Sequence, residues 1–191
     1  MLDLCNQESL NEEQVARFQQ LVADKSLNIN CRKSSSYTPI LLLCRRNKSP
    51  SLLPCLKLIL ERDDVDKKAT HYGSSTLTLL CRHYPLANQL FDCIRLLQKN
   101  GGIDVNFKNK EGKTGLFLLS QNLSKDKTLI DIARLLLNEK SDFQMALESV
   151  DNLKKRGFRR DASILSKIIE SYRLGKGKVS NQSWLEIFDC I

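Results

Sequence analysis

Histidine is almost missing from this chain, with 2 residues in 191, and tryptophan occurs once. So few imidazoles leave little from which to build a His-based general base or a His-ligated zinc site. Proline (4) and glycine (8) are also scarce, which excludes a linker-like composition and argues against many short strands joined by tight turns; helices are favoured. Long apolar runs are absent too. The longest, Pro39 to Cys44, has 6 residues, against the ~18–20 that a bilayer span requires, so no membrane partner is expected. The opening Met1-Leu2-Asp3-Leu4-Cys5 has no basic stretch followed by an apolar one, so secretion is not expected either.

Cysteine, by contrast, occurs at 5, 31, 44, 55, 81, 93 and 190. The count is odd and no pair has the spacing of a zinc knuckle, so these read as reduced thiols in a cytoplasmic or nuclear protein, most of them filling core space. With 30 Lys and Arg against 22 Asp and Glu, the formal net charge is +8. An acidic partner is therefore plausible on electrostatic grounds.

An internal repeat organises the middle of the chain. Ser36-Tyr37-Thr38-Pro39-Ile40-Leu41-Leu42-Leu43-Cys44-Arg45-Arg46 aligns with residues 73–83 (Gly73 to His83) and with 112–122 (Gly112 to Asn122). Each segment opens on a hydroxyl residue able to cap a helix, Thr38, Ser75 or Thr114, and continues as a short helix apolar on most sides. A second stretch at helical spacing follows each one: Leu53, Leu56, Ile59 and Leu60; Leu90, Phe91, Ile94 and Leu97; Leu129, Ile132, Ala133, Leu136 and Leu137. Each unit is thus expected to be a helical pair, with Pro50, Pro54 and Pro85 in or beside the connecting turns. Short β-like elements are expected at Asn28-Ile29-Asn30, Asp64-Val65-Asp66, Ile103-Asp104-Val105-Asn106 and Ser141-Asp142-Phe143. At the N-terminus, Ser9-Leu10-Asn11-Glu12 spells a capping box before a helix over roughly 10–25.

At these residues the chain resembles the ankyrin-repeat family over roughly 12–143. The family's Gly-x-Thr-Pro-Leu opening is matched by Ser36-Tyr37-Thr38-Pro39-Ile40, Gly73-Ser74-Ser75-Thr76-Leu77 and Gly112-Lys113-Thr114-Gly115-Leu116, and its Asp-Val-Asn by Asp104-Val105-Asn106. The units run longer than the family's 33 residues, and bulky Leu43, Leu80 and Leu119 replace its small Ala. The resemblance implies an all-α, ankyrin-like solenoid of stacked helical pairs with short hairpin loops. Its parts would be N-terminal capping helices at 1–33, three divergent repeats at 34–143, and at 144–191 a C-terminal pair with a final capping or docking helix around Trp184-Leu185-Glu186-Ile187-Phe188. The alternative is an unrelated α-solenoid of helical hairpins.

No motif for chemistry survives inspection. Gly175-Lys176-Gly177-Lys178-Val179-Ser180 lacks the upstream Gly and the Ser or Thr after Lys that a phosphate loop needs. Cys81 and His83 sit two apart on a helix and point in different directions. Neither a catalytic residue, a metal, a cofactor nor a small-molecule substrate is expected. The basic runs are better candidates. Arg45 and Arg46 recur one unit later as Arg82 and His83, and then as Gln121 and Asn122. One reading is local, cations satisfying helix C-termini. The other follows from the resemblance: hairpin tips and first-helix ends line the concave face that ankyrin partners occupy. Carried over, that face holds Ser34, Ser35, Tyr37, Arg45 and Arg46; His71, Tyr72, Ser74, Arg82 and His83; and Lys110, Glu111, Lys113, Gln121 and Asn122. A second basic cluster, Lys154, Lys155, Arg156, Arg159 and Arg160, falls in the turn between the C-terminal helices. The expected function is a non-catalytic interaction module, an adaptor or regulatory subunit docking an acidic protein surface. The alternative is a nucleic-acid-binding protein that uses the same face plus 154–160.

Overall fold

The computed structural model describes residues 1–32, 37–83, 87–122, 128–137 and 141–174, with 87, 88, 122, 128 and 129 as backbone only. The described chain is mostly helical: α1 (Leu2–Cys5), α2 (Glu12–Ala23), α3 (Pro39–Arg46), α4 (Leu52–Leu60), a hairpin of β1 (Thr70–His71) and β2 (Ser74–Ser75), α5 (Thr76–His83), α6 (Ala87–Lys99), α7 (Gly115–Asn122), α8 (Thr128–Leu136), α9 (Phe143–Lys155) and α10 (Arg159–Arg173). The helices form two layers. In one, α1, α3, α5, α7 and α9 pack each on the next; in the other, α2, α4, α6, α8 and α10 do the same. No described helix is long and apolar enough to cross a membrane.

The sequence pattern follows from this arrangement. An inner-layer helix has a neighbour on either side and a partner behind, so all of Pro39–Cys44 and all of Thr76–Cys81 are buried. An outer-layer helix faces water on its far side and buries one stripe: Leu52, Cys55, Leu56, Ile59 and Leu60 in α4; Ala162, Leu165, Ile168 and Ile169 in α10. Cys5, Cys44, Cys55, Cys81 and Cys93 are all free and buried in this core, whereas Cys31 is half-buried. Cys190 and the expected helix around Trp184 lie outside the described residues.

Helix starts depart from expectation in two places. Ser75 Oγ and Thr114 Oγ1 do accept from the amides of Thr78 and Phe117, each at 3.3 Å, but Thr38 Oγ1 is buried without a partner. The N-terminal capping box is formed by Asn11 and Gln14, not by Ser9 and Glu12. Gln14 N donates to Asn11 Oδ1 at 2.8 Å and Asn11 N to Gln14 Oε1 at 3.0 Å. Asn caps as well as Ser does, and the helix begins at Glu12.

The β-like elements need correcting as well. The described strands are β1 and β2, while Asn28–Asn30, Asp64–Asp66 and Asp104–Asn106 are turns. Their Asn and Asp side chains accept the amide that a strand would have paired: Asn28 Oδ1 from Asn30 N (2.9 Å), Asp66 Oδ1 from Lys68 N (3.1 Å), Asp104 Oδ1 from Asn106 N (3.0 Å). Asp142 instead caps α9, accepting from Met145 N at 3.2 Å, and Phe143 is the helix's first residue. The same turns are tied sideways. Asn30 gives Nδ2 to Asp64 O (2.7 Å) and takes Asp66 N on Oδ1 (2.8 Å), and Asn106 Oδ1 takes Asp142 N (2.7 Å).

The hairpin turns through Tyr72 and Gly73, both at positive φ (46° and 64°), as a two-residue type I′ turn requires. Gly73 is needed for a second reason: a Cβ there would lie 2.8 Å from Lys110 N. Gly112 has φ +74° but open space around it. Gly112→Ala should therefore lower stability by about 1 kcal/mol, the left-handed backbone term alone, and Gly73→Ala by distinctly more. Urea unfolding of the two variants checks this, and equal losses would remove the steric argument.

Candidate partner-binding face

The hairpin projects an aromatic stack assembled from two units. His71 lies edge-on between Tyr37 and Tyr72, with ring centroids 4.6 and 4.1 Å away. The Arg45 guanidinium, from the last turn of α3, lies over the Tyr37 ring at 4.7 Å from its centroid. Four of the expected face residues are thereby joined in the order Arg45, Tyr37, His71, Tyr72. Their exposure differs sharply. Tyr72 is 74% exposed at the turn, whereas Tyr37 is only 8% exposed. Tyr37 is thus a support for Arg45 rather than a presented contact, because it is buried with Arg45 and His71 packed against its ring. His71 is wedged closely enough that its Nε2 is covered and unpartnered.

One unit further on, the equivalent places hold an ion cluster. Arg82 Nη2 donates to Glu111 Oε1 at 2.8 Å and Lys113 Nζ lies 3.1 Å from Glu111 Oε2. Lys113 also sits 5.5 Å over the Phe117 ring. Hydrogen bonds from Arg82 first, then from Lys113, hold the Glu111 carboxyl below its usual range. Lys110 is exposed beside this cluster and Gln121 half-exposed at the end of α7, while the Asn122 side chain and Ser34 and Ser35 lie outside the described residues.

A third grouping runs along one edge, where inner-layer helices end. His83 is half-buried there, and burial, followed by the charges of Arg82, Arg45, Lys48 and Arg46, lowers its pKa from 6.5. Every charged group that shifts this imidazole is a cation. Because the folded pKa is depressed, the unfolded chain takes up the proton more readily. Stability contributed by neutral His83 is therefore present above about pH 6.5 and lost as pH falls through the folded value. Thermal melts should show Tm falling as pH drops below 6.5, and His83→Gln should flatten that part of the slope; an unchanged slope would contradict it.

The second basic cluster joins this same edge. Arg156 donates through Nη1 to Ser120 O in the last turn of α7, and Asn152 Nδ2 donates to Ser120 Oγ at 3.0 Å. The end of α9 is thus fixed on the end of α7. Arg159 and Arg160 belong to the first turn of α10, not to the loop. The signal in the sequence that relates the two clusters is that α9 carries Lys154 and Lys155 in its last turn, as α3 carries Arg45 and Arg46.

In the Cys81-Arg82-His83 run, burial pushes the Cys81 thiol up to about 12, which favours the protonated thiol over the thiolate. No group of three or more His, Cys, Asp or Glu able to hold a metal occurs among the described residues. No family model matches the chain, and no curated protein matches it either.

Proposed function

We propose that this chain is a non-catalytic protein-interaction module, an adaptor or regulatory subunit, built as a divergent ankyrin-like solenoid and docking an acidic protein surface. The carrying observation is the convergence of cations from successive inner-layer ends around His83, next to a hairpin that holds Tyr72 out in water. Tyr and Arg are the residue types most enriched where binding energy concentrates. The ankyrin reading is supported by the order within each unit, a turn or hairpin, an inner helix and then an outer helix, together with the one-unit packing of both layers. Binding would work by rigid presentation. Arg45 is already laid on Tyr37 and the hairpin tip is fixed by Gly73, so little ordering entropy is lost on association.

The test is a paired charge reversal. Arg45→Glu with Arg82→Glu should leave the fold intact by circular dichroism while weakening the partner by about 2 kcal/mol, roughly thirtyfold. Affinity purification with wild-type and variant chains should show a stoichiometric companion retained by the first and lost by the second. Equal recovery would move the interface to another face.

A further inference from the structure

Resting on that interaction reading, we infer that the occupant is an extended acidic peptide segment of a protein partner, lying across the C-terminal ends of α3, α5, α7 and α9 and ending beside α10. The first support is positional. α9 follows α7 in the inner layer, so Lys154 and Lys155 stand where Arg45 and Arg46 stand on α3, and the Ser120 ties keep the two ends in line. At the far end, Lys154 is shared with an open groove of about 600 Å³ lined also by Arg159, Ser163, Ser166 and Lys167. That groove offers cations and hydroxyls, the donors a carboxylate accepts from.

The second support is how the strip's arginines are held. At one end Arg45 lies on Tyr37 at 4.7 Å; at the other Arg156 lies on Phe158 at 4.9 Å. A stacked guanidinium loses little rotamer freedom on meeting a carboxylate; Arg45 keeps its in-plane N–H groups for one, whereas Arg156 gives Nη1 to Ser120 O and serves to position the α9 end. Tyr37, buried against Arg45, is not open to a stacked base, which favours a peptide over a nucleic acid. Acidic residues do reach the strip, Glu8 on Lys48 at 3.4 Å, Glu111 on Arg82 at 2.8 Å and Asp151 on Lys154 at 3.7 Å. They leave Arg45, Arg46, Lys155, Arg159 and Lys167 without a carboxylate among the described residues.

The third support sets the length. Packed helices lie about 9 Å apart, so the three steps from α3 to α9 cover about 27 Å. An extended chain at about 3.3 Å per residue spans this with about 8 residues. A peptide of about 6 residues spans about 20 Å and cannot reach both ends of the strip, and so the inference predicts a length dependence that a single charged spot would not produce.

Fluorescence anisotropy with the full chain and a labelled peptide of about 12 alternating Glu and Ser residues, compared with one of about 6, tests this directly. The longer peptide should bind at least about tenfold more tightly. Lys154→Glu with Lys155→Glu, at exposed positions, should weaken the longer peptide about tenfold and erase its advantage over the shorter. If that variant binds as wild type while Arg45→Glu with Arg82→Glu does not, the extended track is wrong and the interaction reading stands. If no acidic peptide binds, or neither variant changes its binding, the extended track is wrong, and loss or retention of the purified companion by Arg45→Glu with Arg82→Glu decides the interaction reading separately. Tighter binding of an oligothymidylate of equal charge, weakened by the same variants, would make the occupant a nucleic acid and overturn the inference.

Discussion

Leu80→Asp is expected to unfold the chain. Leu80 is fully buried in α5, which packs against α3 on one side and α7 on the other. The substitution removes the leucine's packing and places a carboxylate in the buried core, a combined loss of more than about 4 kcal/mol. Domains of this size are stable by only about 5–15 kcal/mol in total. Leu80→Met, which conserves volume, should lose less than about 1.5 kcal/mol. Far-UV circular dichroism and thermal melting decide the matter: a soluble Asp variant with unchanged helicity and Tm would show that α5 is not the sandwiched helix described above.

Removing Arg62 has the second-largest expected effect. Its guanidinium is only 9% exposed and donates to Val22 O (3.0 Å) in the last turn of α2 and to Asp24 O (2.8 Å) and Leu27 O (3.2 Å) beyond it. It also holds Asp64 in a two-pronged pair at 2.8 and 2.6 Å. Because the Asp64 side chain is 57% exposed, that ion pair contributes little by itself. The loss in Arg62→Ala comes from three carbonyls stripped of a charged donor, about 3 kcal/mol. Arg62→Lys should recover only part, since one ammonium cannot reach the same fork of acceptors. Urea midpoints of the two variants measure this; a shift within error for Arg62→Ala would mean that the α2 end does not depend on the guanidinium.

What could be read in advance tracks how local the cause is. Pro39–Cys44 and Thr76–Cys81 spell apolar character on all sides, and only a helix covered on all sides tolerates that, so their burial was legible. The gathering of Arg45 and Arg82 was legible too, because equivalent places in consecutive units face the same way. Arg62 was not. It follows a helix and reads as an ordinary C-terminal cation, while its acceptors lie 35 to 40 residues upstream. The role of Tyr37 was hidden for the same reason, since its burial depends on Arg45 and on His71 in the next unit. The turns were misread as strands because an Asn or Asp side chain closes its own turn, and alternating Asx and apolar residues look the same in either conformation.

The sideways ties have a kinetic meaning. Among the described residues, side-chain hydrogen bonds that join one helical pair to the next connect positions such as Thr76 and Gly102, 26 apart, and Leu10 and Ser51, 41 apart, and the main helix packing in each layer is with the adjacent unit. No contact of that kind has to wait for distant ends to find each other, so the loop-closure entropy met at each step is small. Folding can start in whichever pair is most stable and spread outward one unit at a time, and opening proceeds inward from the termini. Amide exchange should therefore be slowest in α5 and its flanking inner helices and quicken toward either end of the stack, a gradient set by the number of neighbours rather than by the composition of any single helix.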